Sequence, residues 1–338
     1  MRKVKIGIIG LGNLGIRHAE NIMFRIPNAE LTAAYTRTQS KLDRVHEEWG
    51  VPSVYHSLDD FFENREMEAV VIVSPSDQHC EHIVRAMERG LHVFSEKPLG
   101  TDLAQCRRAE QAVEAHPELI FQLGFMRRFD PSYAEAKRMI REGRIGRPFL
   151  VKCTSLDPDA DMERFLNYAP ISGGIFRDLT VHDVDLARWL LESDVTRITA
   201  AGGCYKYGEL AQYGDVDNAA ALMEFANGSI ALFHSGRMAP HGSHIETEIQ
   251  GTEGVLRISA VPEKNRMMIF DQHGAVQECT FDFLERWKEA FVAEMQSFVD
   301  CICENRRPEV TVYDGTKCTE VTYAAMEALH THRTVELG

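Results

Sequence analysis

Nowhere does this sequence stay apolar for the roughly 18 residues that a membrane-spanning helix requires, so a helical membrane protein is not expected. Basic residues are in deficit: 37 Lys and Arg stand against 51 Asp and Glu, a formal charge of −14 at pH 7. A surface of that sign repels polyphosphate, and nucleic acid is not expected as a partner. The eight cysteines (80, 106, 153, 204, 279, 301, 303 and 318) form no Cys-x-x-Cys pair, and Cys301-x-Cys303 is an awkward spacing for zinc. They are expected as buried, reduced thiols. Internal repeats, low-complexity segments and long charge runs are missing too. Met1-Arg2-Lys3 followed by Val4–Ile9 imitates a signal peptide, but the apolar stretch is short, runs into a glycine-rich turn and lacks a small-residue cleavage site. It reads as a first strand, and the cytoplasm as the expected compartment.

What is present describes an ordinary globular chain. Its 338 residues are 44% hydrophobic and 26% charged, with 24 Gly and 12 Pro, a size that suits two domains. In the first third, short apolar runs alternate with helical patterns. Lys3–Ile9, Leu31–Tyr35, Ala69–Val73, His92–Ser95 and Phe121–Gly124 read as buried strands, with a weaker one near Val54-Tyr55. Asn13–Arg25, Lys41–Trp49, His79–Arg89 and Leu103–Ala115 read as the helices between them. This alternation predicts a parallel sheet with helices on both faces.

After about residue 125 the pattern changes. A helix at Pro131–Glu142, a strand near Phe149–Ser155, a loop from Asp159 to Ile171 and a helix at about Val181–Leu191 precede a series of hairpins. Ala219–Ala226 and Ser229–Ser235 flank Asn227-Gly228, a strong hairpin signal. Ile245–Gln250 and Val255–Ser259 flank a Gly251–Gly254 turn, and Met267–Phe270 faces Val276–Phe281 across His273-Gly274. Two helices, at about 284–304 and 314–332, end the chain. Strands joined by local turns predict an antiparallel sheet, so the expected organisation is an α/β domain over 1–124 and an α+β domain over 125–338.

Gly10-Leu11-Gly12-Asn13-Leu14-Gly15 closes the first strand and opens the first helix. The first Gly permits the tight turn, the second lets a pyrophosphate approach the backbone, and the third lets helix and strand pack closely. The helix N-terminus then offers free N–H groups to the phosphates. In a whole alternating domain this predicts a Rossmann dinucleotide site. Glu96-Lys97-Pro98 follows the fifth strand, where a lysine can donate to a substrate oxygen, although by spacing alone a surface lysine in a turn is the simpler reading. Asp178 and His182 stand four residues apart on one face of a helix start, with Asp185 extending that face. Histidine titrates near neutrality, as a general base for an alcohol must, while a helix cap plus a surface His is the alternative. His79-x-x-His82 and His241-x-x-His244 have near-ligand spacing without an obvious third partner, so no metal is expected. His79 instead suits the loop after the fourth strand.

Together these residues resemble the glucose–fructose oxidoreductase / inositol dehydrogenase family, often called Gfo/Idh/MocA. The resemblance covers essentially the whole chain: the glycine fingerprint, Glu96-Lys97-Pro98, and Gly173-Gly174-Ile175-Phe176 through Asp178, His182-Asp183 and Asp185. Phe125-Met126-Arg127-Arg128-Phe129-Asp130, Gly214-Asp215-Val216-Asp217 and Phe283-Leu284-Glu285-Arg286 look most like the inositol 2-dehydrogenase branch. The resemblance implies a Rossmann domain followed by a domain with a large, mainly antiparallel open sheet. It also implies homo-oligomers (tetramers or dimers) built partly through that sheet, and hydride transfer between NAD(P) and a secondary alcohol of a cyclitol or sugar. Lys97, Asp178 and His182 would be the catalytic set, with Arg127 and Asp157 at the substrate. A regulator of the same fold that binds dinucleotide without turnover would have lost the lysine or the histidine; both are here. Met238–His244 and Leu156 depart from the branch, and the 159–171 loop looks longer, which shifts the expected substrate from myo-inositol alone to a cyclitol or pyranose.

The second strand ends Tyr35-Thr36-Arg37-Thr38, without the acid that commonly holds the adenine ribose about 20 residues past the glycines. Thr36 stands 21 residues after Gly15, where that acid would be. Thr36, Thr38 and Arg37 can donate to a 2′-phosphate, so NADP is slightly favoured over NAD, with Arg37 stacking on adenine as the alternative. The expected cofactor set is Gly10, Gly12, Asn13, Leu14, Gly15, Thr36, Arg37, Ser74, His79, Glu96 and Lys97.

Overall fold

The computed structural model describes residues 2–259 and 263–338. The chain divides into two compact units: residues up to Phe129 with Glu289–Thr319, and Asp130–Lys288 with Glu320–Gly338. The first unit holds β1 (Val4–Ile9), β2 (Ala29–Tyr35), β3 (Ser53–Tyr55), β4 (Ala69–Ile72), β5 (His92–Glu96) and β6 (Phe121–Gly124). Between them run α1 (Asn13–Phe24), α2 (Gln39–Asp43), α3 (Leu58–Glu63), α4 (His79–Glu88) and α5 (Leu103–Glu114). All pairings are parallel in the order β3-β2-β1-β4-β5-β6, the doubly wound Rossmann order. Strand order reverses between β1 and β4, which leaves a crevice at their carboxyl ends. β4 is buried along its whole length, as a central parallel strand of Ala, Val and Ile must be.

The second unit begins with α6 (Pro131–Arg141), β7 (Pro148–Pro158), α7 (Met162–Ser172) and α8 (Val181–Leu191). Then come β8 (Val195–Gly203), β9 (Asn218–Phe225), β10 (Ile230–Ala239), β11 (His244–Gly251), β12 (Val255–Ile258), and the hairpin β13 (Glu263–Asp271) and β14 (Gly274–Cys279). The turn α9 (Phe283–Arg286) leads into α10 (Lys288–Glu304) and α11 (Val312–Thr331), and β15 (Val335–Glu336) ends the chain. The seven-stranded sheet has the order β12-β11-β7-β10-β9-β8-β15 and is antiparallel except at β7/β10, which pair parallel. The hairpins expected around 227–228 and 251–254 both form, while the parallel step is made by strands some 80 residues apart (Ile230 faces Leu150) and no local turn signals it.

Three further differences have local causes. The stretch read as a loop, 159–171, folds largely as α7, because Met162 and Ala169 bury against Leu210 with Phe165 and Leu166 packed alongside, and Gly173 closes the helix in the left-handed region at φ 77°. The contacts do not divide the chain once at 124/125: α10 returns to the first unit, where Met295, Phe298, Val299 and Cys301 join the core of Val4, Ile6 and Ile8. Helical periodicity announces that apolar stripe but not its destination. Finally, all eight cysteines are free, but only five are buried: Cys204 and Cys279 are partly exposed and Cys303 is exposed. Among the described residues no helix is long and apolar enough to cross a membrane.

Candidate functional site

In the first unit the expected cofactor residues gather at the carboxyl ends of adjacent parallel strands. Gly10 follows β1 with φ 97°, and a Cβ there would stand 2.4 Å from Val73 O. A Cβ on Gly15 would stand 2.1 Å from Gly10 O, so the turn and the α1 packing both demand glycine. Gly12 is different: a Cβ there would meet nothing within 4 Å. Gly12 is also the N-cap of α1, with no side-chain cap, so the first-turn N–H groups beside Asn13 and Leu14 face outward uncapped. The chain therefore fits a pyrophosphate at this helix end, with backbone donors and space for close approach.

Thr36 and Arg37 follow β2. Thr36 is partly exposed there and Arg37 is exposed. Ser74 lies just past β4, its Oγ 2.9 Å from His82 Nδ1. Burial lowers the His82 pKa to about 4, with His79 adding to the effect. His79 is buried with Nδ1 2.7 Å from Pro98 O and Nε2 2.8 Å from Ser74 O, so it ties the loop after β4 to the one after β5. Burial lowers its pKa, and the two carbonyls oppose that only in part. Lys97 is half-buried directly after β5, and its N–H donates to Glu96 Oε2 at 3.2 Å. Arg127 is buried in the 3₁₀ turn Met126–Phe129 after β6.

In the second unit, Asp178 does not sit on a regular α-helix start. It lies in the π-turn Phe176–Thr180, whose N–H groups at Arg177 and Asp178 reach back to Gly174 O at 3.1 and 3.0 Å. Such wide turns recur at functional positions. Gly174 must be glycine here: its φ is 92° and a Cβ would stand 2.6 Å from Met326 Cε. α8 follows at once, carrying His182, and all eleven of its residues are buried. Two of its polar groups are held by neighbouring side chains: Asp183 Oδ1 accepts from Ser155 Oγ at 2.9 Å, and Arg188 Nε donates to Asp194 Oδ1 at 2.8 Å. Asp185, expected to continue the Asp178–His182 face, is buried in this helix.

No motif in the sequence singles out Arg237. It is 2% exposed near the end of β10, with Nη2 3.3 Å from Asp178 Oδ2 and Nη1 3.4 Å from Asp157 Oδ2. Its guanidinium carbon lies 3.6 Å from the Phe165 ring centre, a cation–π stack supplied by α7. Asp157 and Arg237 meet because β7 and β10 run parallel and both end here. The acids of Gly214–Asp217 hold this arrangement. Asp215 Oδ1 accepts from Ile175 N and Val216 N, both at 2.8 Å, which pins the entry to the Asp178 turn. Burial raises the Asp215 pKa, against the lowering effect of Arg237 and those two N–H groups. Burial would raise Asp217 too, but N–H donors of Tyr205, Tyr207 and Lys206 hold it below its ordinary value. The departing stretch Met238–His244 runs from the end of β10 through the turn to the first residue of β11, where His241 Nε2 lies 3.0 Å from His244 Nδ1.

Comparison with known proteins agrees with this architecture. Residues 4–125 match the model of the oxidoreductase family with an NAD-binding Rossmann fold, and residues 133–257 match the GFO/IDH/MocA C-terminal domain. The chain is 34% identical over 335 residues to scyllo-inositol 2-dehydrogenase (NAD(+)) of Bacillus subtilis (strain 168), covering 99% of this chain and 96% of that one. It is 31% identical to myo-inositol 2-dehydrogenase of Thermotoga maritima, covering 99% and 98%. The crystal structure of scyllo-inositol dehydrogenase from Lactobacillus casei with bound NAD(H) and scyllo-inositol superposes with a TM-score of 0.96 at 40% identity, covering 99% of each chain. The chain belongs to the Gfo/Idh/MocA oxidoreductase family.

Proposed function

We propose that this protein is a dinucleotide-dependent dehydrogenase that oxidises a secondary alcohol of a cyclitol, with scyllo-inositol and its stereoisomers as the first substrates to test. The observation that carries this reading is the full-length likeness, at 40% identity, to a scyllo-inositol dehydrogenase seen with NAD(H) and scyllo-inositol bound. The first unit serves as the dinucleotide domain, the second as the substrate and assembly domain. The bound nicotinamide accepts the hydride. His182 takes the hydroxyl proton, and the buried helix beneath it keeps its ring in place. Asp178 orients the substrate and tunes His182, and its pairing with Arg237 fixes the position of the carboxylate. Lys97 stabilises the developing oxygen charge, while Arg127 and Asp157 hold the other hydroxyls. Lys97→Ala, His182→Ala and Asp178→Asn should each lower kcat/KM by about 10²–10⁴-fold with dinucleotide Kd nearly unchanged. Losses below about threefold in all three, on the best substrate of an inositol and sugar panel, would sink the reading.

The missing acid at Thr36 supports use of NADP at least as well as NAD, whereas the relatives named for NAD support NAD; the choice is settled by kinetics with both. Eight free thiols suit a reducing cytoplasm. Assembly as a tetramer or dimer through the large sheet is supported by its outer face. Leu222 (39% exposed) and Leu232 (40%) are cross-strand partners there, beside exposed Ile230. Lysine at both leucines should shift sedimentation toward the 38.2 kDa monomer. An unmutated protein that already sediments as a monomer at micromolar concentration overturns this part.

A further inference from the structure

The first unit contains a group of ionisable side chains that the proposed chemistry does not use directly. Among the described residues, His18 of α1, Glu96 at the end of β5 and Glu294 of α10 are the only three His, Cys or acidic groups whose ligand-type atoms all lie within 4.8 Å of one another. They are sealed from solvent: His18 and Glu294 have no exposed surface, and Glu96 is 5% exposed. Glu96 is fully committed. Its Oε1 lies 2.7 Å from His18 Nε2, and its Oε2 accepts the Lys97 N–H. Its seat depends on Gly124, where a Cβ would stand 3.1 Å from the Glu96 carboxyl carbon.

Glu294 is in the opposite condition. Gln122 Nε2 donates to its backbone carbonyl at 2.9 Å, but neither side-chain oxygen has a hydrogen-bond partner among the described residues. The titratable groups facing it are Glu96 from β5 and His18 from α1. The rings of Phe94 and Phe291 pack on His18 at 5.4 and 5.7 Å and complete an apolar wall. A bare carboxylate with no donor and a second carboxylate beside it is prohibitively placed, whereas a carboxylic acid is not. Burial, and after it the Glu96 charge, accordingly pushes Glu294 well above the usual carboxylate range.

We propose that Glu294 is a positioning residue for Lys97: an uncharged carboxylic acid whose O–H is given to Glu96, which stays anchored both to His18 and to the Lys97 backbone. The O–H reaches Glu96 by a small rotation of the Glu294 side chain or through one bridging water. Because His18 lies on the helix that the glycine loop opens, the same three groups tie the phosphate-binding helix to the strand end that presents Lys97. The inference rests on the reading of Lys97 as a substrate-contacting residue.

The test uses the full-length enzyme and its Glu294→Gln, Glu294→Leu and Lys97→Ala variants. Infrared difference spectra at neutral pH should show a protonated-carboxyl C=O band in the wild type that Glu294→Gln lacks. A glutamine amide can replace the acid as donor, so Glu294→Gln should keep kcat within about threefold, while Glu294→Leu should lose about 10–100-fold in kcat with dinucleotide Kd unchanged. The proposal is overturned by absence of the band, by stoichiometric metal in the purified enzyme, or by equal kcat in the Gln and Leu variants. If Glu294→Leu does not fold, the band and the Glu294→Gln kcat decide. Loss of activity in Lys97→Ala with none in Glu294→Leu rejects this inference alone. Full activity in Lys97→Ala rejects the reading beneath it, and the band then still reports whether Glu294 is the neutral acid.

Discussion

The Arg237 guanidinium stands 3.3 Å from the Asp178 carboxylate, and its other terminal nitrogen is turned to Asp157. One planar fork thus holds two acids that come from different elements, at the mouth of the helix that carries His182. Arg237 is buried while the two acids are only partly so, and the fork reaches them from below rather than across an open surface.

Arg237→Met keeps an apolar side chain at this position and removes the fork together with its stack on Phe165. It is expected to lower kcat/KM for the cyclitol by about 10–100-fold, because Asp178 loses its fixed orientation. Dinucleotide Kd should not change, since the clamp lies wholly in the second unit. Arg237→Lys should recover only part of the loss, as a point charge cannot bridge both acids in one plane. Steady-state kinetics beside fluorescence titration of the dinucleotide distinguish these outcomes; unchanged kcat/KM in Arg237→Met refutes the clamp.

Two glycines of one loop should fail in different ways. Gly15→Ala drives a methyl into Gly10 O, 2.1 Å from the ideal Cβ position, and is expected to cost about 1–3 kcal/mol or more of stability. Gly12→Ala meets nothing within 4 Å, so thermal unfolding should stay near wild type. Its methyl would instead occupy the pyrophosphate approach and weaken dinucleotide binding by about tenfold or more. Calorimetry with and without dinucleotide separates the two, and a Gly12→Ala protein that binds normally rejects the pyrophosphate site.

Cofactor choice should respond to Thr36. With no acid after β2, NADP should be accepted at least as well as NAD, and Thr36→Asp should move the preference toward NAD by placing a charge against the 2′-phosphate. A tenfold or greater kcat/KM advantage for NAD in the unmutated enzyme, on the order of 1.4 kcal/mol, would show that the missing carboxylate does not decide the matter.

Stability should fall on the acid side through His82. Burial holds the native ring's pKa at about 4, whereas the unfolded chain titrates near 6.5. The unfolded state therefore binds more protons throughout that window, and stability present above pH ~6.5 is lost as pH falls toward ~4, by up to about 3 kcal/mol from this group. Urea unfolding of wild type and His82→Asn at pH 7 and pH 4.5 should show a smaller acid loss in the variant. Parallel losses in both proteins would reject His82 as a source of the slope.

By itself the sequence determined the local geometry. The glycines at 10 and 15 are legible because the steric demand on them arises within one turn, and the alternation of short apolar strands with helices is legible because each element declares its own period. Asn227-Gly228 declares its hairpin in the same way. Lys97, Asp178 and His182 could be singled out only once separate short motifs were taken together as a family pattern. What tertiary structure alone decided is every partnership made across long stretches of chain. Arg237 finds Asp157 because β7 and β10 pair in parallel, an arrangement for which no adjacent turn exists to give a signal. The 159–171 stretch becomes a helix because Leu210 is there to receive Met162 and Ala169. Glu294 lies beside Glu96 and His18 because α10 lends its apolar stripe to the first unit's core rather than the second's. Periodicity states which face of a helix must be buried; only packing chooses the surface that buries it, and with it the charged groups that are carried into one another's reach.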